Sequence, residues 1–86
     1  MGVFEEHDTV SLVKRNGKRT DDIPANVQPN VIFISNGDLP IEEGDFLERQ
    51  LPNGLWERYV VVDRGYYSTG ILGPHYQCKV RKQFSM

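Results

Sequence analysis

Short runs of alternating apolar and polar residues fill this chain, separated by glycine, proline and asparagine. Thr9-Val10-Ser11-Leu12-Val13-Lys14 sets Val10 and Leu12 against Thr9 and Ser11, a period of two that sorts side chains onto the two faces of a strand. Arg19 to Val27 carries Ile23, Ala25 and Val27 at the same period, and Pro24, which has no N–H to donate, predicts an edge strand there. Val31-Ile32-Phe33-Ile34 is a continuous β-branched and aromatic run, the pattern of a strand buried on both faces. Asp45–Leu51 and Trp56–Asp63 flank Pro52-Asn53-Gly54 and predict a long hairpin. In the last run, Tyr76 to Lys82, Tyr76, Cys78 and Val80 share one face, while Gln77, Lys79 and Arg81 share the other.

Asn-Gly occurs at Asn16-Gly17, Asn36-Gly37 and Asn53-Gly54. A type I′ turn needs φ > 0 at both central residues, so each pair predicts a tight hairpin. Leu39 to Asp45 reads as a connector that turns at Glu43-Gly44, and Arg64 to Pro74, with three glycines and a proline, reads as a long loop. No segment sustains a 3.6-residue period beyond about two turns. The fold expected is all-β: a small antiparallel β-barrel or β-roll of five to six strands built from hairpins. It would bury both faces of Val31–Ile34 and Tyr59–Val62, in a single domain over residues 1–86 with residues 1–8 frayed.

Composition narrows the functional classes. A chain of 86 residues buries only about 60–65% of its unfolded surface and cannot house a deep cleft beside its own core. With 38% hydrophobic residues, four Phe, four Tyr and one Trp, it is not a disordered segment. The single cysteine, Cys78, excludes an internal disulfide framework and a cysteine-based zinc site. No apolar run has the length of a membrane span, and a net charge of −2 does not describe a polycation.

Catalytic candidates are few. His7-Asp8 pairs a base with a carboxylate, and His75 with Cys78 offers a base and a nucleophile. Residues three apart on a strand face opposite ways, so His75 and Cys78 meet only across a bulge. The reading kept is that Cys78 is buried filler, both histidines lie at the surface, and the chain is not an enzyme and holds neither metal nor cofactor. Gly65-Tyr66-Tyr67-Ser68-Thr69-Gly70 spaces its glycines as a phosphate-binding loop does, but Ile71 and Leu72 stand where that motif needs Lys and Ser or Thr.

Charge and aromatic placement say more. Lys14, Arg15, Lys18 and Arg19 crowd the first hairpin, and Lys79, Arg81 and Lys82 crowd the last strand. If those strands were neighbours, one basic patch with Tyr66, Tyr67 and Tyr76 beside it would suit nucleic acid. The plain alternative is a solvated hairpin tip and a guarded strand edge. Trp56, Arg64, Tyr66, Tyr67, Ile71 and Leu72 form the other candidate surface, a contact site for a protein partner or a second copy of the chain. The acidic residues Glu42, Glu43, Asp45 and Glu48 lie apart from the basic ones, which suits head-to-tail self-association.

Two resemblances rest on short motifs. Asp8-Thr9-Val10, Ile41-Glu42-Glu43-Gly44-Asp45, Leu51-Pro52-Asn53-Gly54, His75-Tyr76-Gln77 and Lys79-Val80-Arg81-Lys82 make most of the chain similar to a small β-domain at the start of uncharacterised bacterial and prophage proteins. That family carries no activity to transfer, and its architecture implies that further sequence follows this domain. Asp8-Thr9-Val10 and Gly44-Asp45 are also similar to phage head–tail joining proteins, whose helical N-terminal segment has no counterpart here. The function expected is a non-enzymatic interaction or assembly module of bacterial or prophage origin, cytoplasmic or part of a virion; nucleic-acid binding through the basic residues is one alternative, and the second resemblance implies another, a head–tail joining subunit of a virion.

Overall fold

A computed structural model of the chain describes residues 6–68, 70, 71 and 73–83. It contains β1 (Asp8–Val13), β2 (Arg19–Val27), β3 (Val31–Ile34), β4 (Phe46–Gln50), β5 (Trp56–Asp63), β6 (Tyr66–Tyr67) and β7 (His75–Gln83). All pairings are antiparallel. The order β3-β2-β1-β4-β5-β7 is closed by a β3–β7 pairing, so six strands form a barrel. The seventh, β6, continues the line of β5 along β7 after a break at Arg64-Gly65, pairing Tyr66 with Tyr76 and Tyr67 with His75. There is no helix among the described residues, hence none long and apolar enough to cross a membrane.

The period-two pattern fills the barrel. Val10 and Leu12 from β1, Ile23 and Ala25 from β2, Ile32 and Ile34 from β3, and Leu47 from β4 point inward, with Tyr59, Val61, Tyr76, Cys78 and Val80 opposite. Each of the larger aliphatic side chains contributes about 1.5–3 kcal/mol by leaving water. On β3 and β5 the outward apolar side chains are not buried. Val62 is 50% exposed, and Val31, Phe33 and Val60 are half-buried, so the expectation of two buried faces on β3 and β5 fails. A barrel interior takes every second residue, and among the described residues no second layer packs over these outward positions of β3 and β5.

The two ends of the barrel are sealed differently. Residues 35–45 cross from β3 to β4 over one end and drop Ile41 into the core. Asp45, fully buried, anchors the crossing: its Oδ2 accepts hydrogen bonds from Lys14 Nζ (2.5 Å) and from the Glu42 N–H (2.8 Å). The Tyr76 hydroxyl also donates to the Leu39 carbonyl. At the other end Glu57 sits among Arg49, Lys82 and the Tyr59 hydroxyl, and Arg49 reaches Asp8 (3.2 Å).

Local geometry corrects three sequence expectations. Gly17 and Gly54 have positive φ, but Asn16 and Asn53 do not, so neither turn is type I′. Both glycines instead close type I turns, donating to Lys14 O and Leu51 O, and their left-handed backbone supplies the twist a hairpin needs. Asn36-Gly37 makes no hairpin at all. It lies in the crossing segment, where the Asn36 side chain accepts from the Asp38 N–H and Gly37 packs against Pro74 with no room for a Cβ. Strand β2 has neighbours on both sides, though it pairs with β3 only at Asn26 and Val27, which leaves Pro24 on a stretch paired with β1 alone. Finally, of residues 1–8, expected to fray, residues 1–5 lie outside the described residues, while Glu6 accepts from Ser35 and Asp8 accepts from Val27 and Arg49.

Candidate functional site

The outside of the barrel has two walls. Across β2, β1, β4 and β5, outward side chains form a continuous charge network. Glu48 is buried between Arg19 (2.8 Å) and Arg58 (2.6 Å), and Asp21 binds both Arg19 (2.8 Å) and the Ser11 hydroxyl (2.6 Å). Burial alone would push the Glu48 pKa up, but its hydrogen bonds to Arg19 and Arg58 outweigh that and hold it below the ordinary carboxylate value. Arg19 lies over the Trp56 ring at 5.4 Å and Arg58 over Phe46 at 4.6 Å, so both guanidinium groups are engaged on their flat faces as well. Opposite Ser11, β2 carries a bulge: Val10 faces Ile23 and Leu12 faces Thr20, so Asp21 and Asp22 together oppose one residue, with Asp22 at φ 61°.

Among the described residues the wall of β5, β6, β7 and β3 has no such network. A groove of about 620 Å³ runs over it, floored by Val31, Val62 and Gln77 and bordered by Tyr67, Lys79 and Arg81. Lys79 and Arg81 are exposed and make no salt bridge among the described residues, and the only other cations so placed, Arg15 and Lys18, are at the first hairpin. Tyr67 is 49% exposed and rests one ring face on His75 (centroids 5.2 Å apart, 12° between planes). Gly65 holds β6 in place. Its carbonyl accepts from the Gln77 N–H, its φ is 55°, and a Cβ there would meet the Gln77 carbonyl oxygen at 2.2 Å.

The basic residues do not form one patch. β1 pairs with β2 and β4, whereas β7 pairs with β3, β5 and β6, so the two basic sets occupy different walls. Lys14 is committed to Asp45 and Glu42, Arg19 to Asp21 and Glu48, and Lys82 to Glu57. Arg15 and Lys18 stay exposed at the hairpin tip, leaving Lys79 and Arg81 as the pair that shares a groove. Tyr76 is buried beneath Tyr66 and offers no stacking surface.

The contact surface read from sequence also divides. Tyr66 and Tyr67 are half exposed on β6, Ile71 is fully exposed, and Arg64 lies 3.9 Å from Glu43. Leu72 lies outside the described residues. Trp56 begins β5 at the far end, about 23 Å from Asp63 by strand rise, and belongs to the charge network rather than to the loop. The long loop itself contains β6. What the sequence reading missed is Val62 and Val31: both sit in runs taken as core, and alternation in a barrel turns them outward.

His75 is buried, not at the surface, because Tyr67 covers it and Gly73 O takes its Nδ1 (2.8 Å). It lies on the outer side of β7, and Cys78 faces the core. Burial pushes the Cys78 thiol up to about 12, so at neutral pH it presents no thiolate. Among the described residues no cluster of three or more His, Cys, Asp or Glu is placed to hold a metal ion. Comparison with models of protein families, with curated proteins and with solved structures found no match to this chain.

Proposed function

We propose that the chain is a non-enzymatic interaction or assembly module that docks through the β5–β6–β7–β3 wall. One observation carries this reading: that wall brings exposed apolar and aromatic side chains, Val62 and Tyr67, beside two cations without salt bridges, while the opposite wall ties its charges to one another. Exposed aromatic and apolar groups around a concave surface are what partner binding uses. The resemblance to prophage domains and virion connectors fits such a role and is independent of the geometry.

Photocrosslinking tests it. A benzophenone side chain at position 62, with position 22 on the charge-networked wall as control, is introduced and adducts are resolved by mass in the producing cells. A discrete adduct from position 62 alone, with one partner or a second copy of the chain, is the expected outcome. Equal adducts from both positions, or none from either, overturn the reading.

A further inference from the structure

The groove has a charge and a shape that specify its occupant further, given the interaction reading on which this rests. Lys79 and Arg81 stand at i and i+2 on the outer face of β7, about 7 Å apart by strand rise. An extended peptide presents its own alternate side chains at that same spacing, so two carboxylates two residues apart match the two cations one to one. Strand β7 is paired along both edges from Tyr76 to Lys79, with β3 on one side and β5 and β6 on the other, and its Val80 N–H still donates to the Asn30 carbonyl; from Arg81 onward it pairs with β5 alone. Up to Lys79 a ligand therefore reads side chains on the face of the sheet rather than adding a strand at an edge. Val31 and Val62 flank that row from the neighbouring strands and supply an apolar floor for one aliphatic side chain.

The same groove is poorly built for nucleic acid. Among the described residues it has one aromatic ring, Tyr67, with one face already stacked on His75. The remaining basic residues are on another wall or in salt bridges, so among the described residues no extended positive track continues from Lys79 and Arg81. A stacking platform needs successive rings along a positive track.

We propose that the β7 groove takes an extended acidic peptide segment, with carboxylates at alternate positions on Lys79 and Arg81 and an aliphatic side chain on Val31 and Val62. The occupant is a partner's acidic strand-like segment. Binding weakens as salt rises, because the cations are solvent-exposed.

The test is fluorescence anisotropy with the full chain and a labelled peptide of about ten residues, carrying Glu at alternate positions, a closing Leu and Ser between them; a labelled oligothymidine of similar length is the rival probe. The expected result is salt-sensitive peptide binding that falls about tenfold in Lys79→Gln/Arg81→Gln and is unchanged in Lys18→Gln. Circular dichroism confirms that each variant is folded. Peptide binding indifferent to the double substitution overturns the proposal. So does oligothymidine binding that the double substitution abolishes, which points to nucleic acid instead. Absence of peptide binding, with position 62 still giving a discrete crosslink, removes the acidic-peptide occupant and leaves the interaction reading standing.

Discussion

The two walls of this barrel use the same residue types to opposite ends. On the β2–β1–β4–β5 wall, arginines and carboxylates are matched, with Glu48 shared by Arg19 and Arg58 and with aromatic rings beneath both guanidinium groups. On the β5–β6–β7–β3 wall, Lys79 and Arg81 lie beside Val62 and Tyr67, and no carboxylate among the described residues bridges to either. A cation already held by a carboxylate gains little from a ligand, since binding must first break what it has. An exposed, unbridged cation loses only its water. The difference separates charges that hold the barrel together from charges available to something else.

If that separation is right, removing charge from the structural network should cost stability in proportion to its burial. The largest effect is expected at the sealed end. Lys14→Met leaves the fully buried Asp45 carboxylate without its partner and should destabilise by about 3 kcal/mol or more, read by denaturant melts. Glu48→Gln weakens its bonds to two arginines that remain partly solvated, and should cost about 1–2 kcal/mol. Lys79→Gln/Arg81→Gln should change stability by less than about 0.5 kcal/mol. If the double variant melts as low as Glu48→Gln, the contrast between the walls is lost.

Acid sharpens the comparison. Lys82 and Arg49 hydrogen bonds hold the Glu57 pKa down to about 2, from an ordinary value of 4.5. A depressed carboxylate pKa stabilises the fold fully above the unfolded value, and the contribution is lost as pH falls from there toward the folded value. Stability should therefore decline between about pH 4.5 and pH 2, and Glu57→Gln should flatten that part of the profile. An unchanged slope would mean that other carboxylates carry it. The bulge tests the backbone: Asp22→Ala should cost about 1 kcal/mol, and Asp22→Gly less, because φ 61° favours glycine. Equal costs would place the penalty in the lost carboxylate rather than in the backbone.

Much of the barrel is legible in the sequence because its information is local. Alternation locates β1, β5 and β7, and the inward set Tyr76, Cys78 and Val80 follows from period two alone. Pro52-Asn53-Gly54 locates the β4–β5 turn, although the turn is type I with only Gly54 left-handed. What stays hidden is long-range. Strand order places β1 and β7 on different walls, and no local pattern encodes that closure. Lys14 with Asp45, and Arg19 with Glu48, are partners distant in sequence, so the loss of those cations from the expected basic patch becomes visible only after folding. His75 looks like a surface residue until β6 lays Tyr67 across it. For Val62 one signal was present: it ends a run of four apolar residues, Tyr59 to Val62, of which a barrel interior can take only alternate members.

The central claim is that the outward face of β7 and its neighbours, not the charge-networked wall, receives a partner. Amide-resolved NMR during titration with the acidic peptide tests it most directly. The account predicts shifts that saturate and concentrate at Val31, Val62, Gln77, Lys79 and Arg81. Shifts centred instead on Ser11, Glu48 and Trp56 would contradict it.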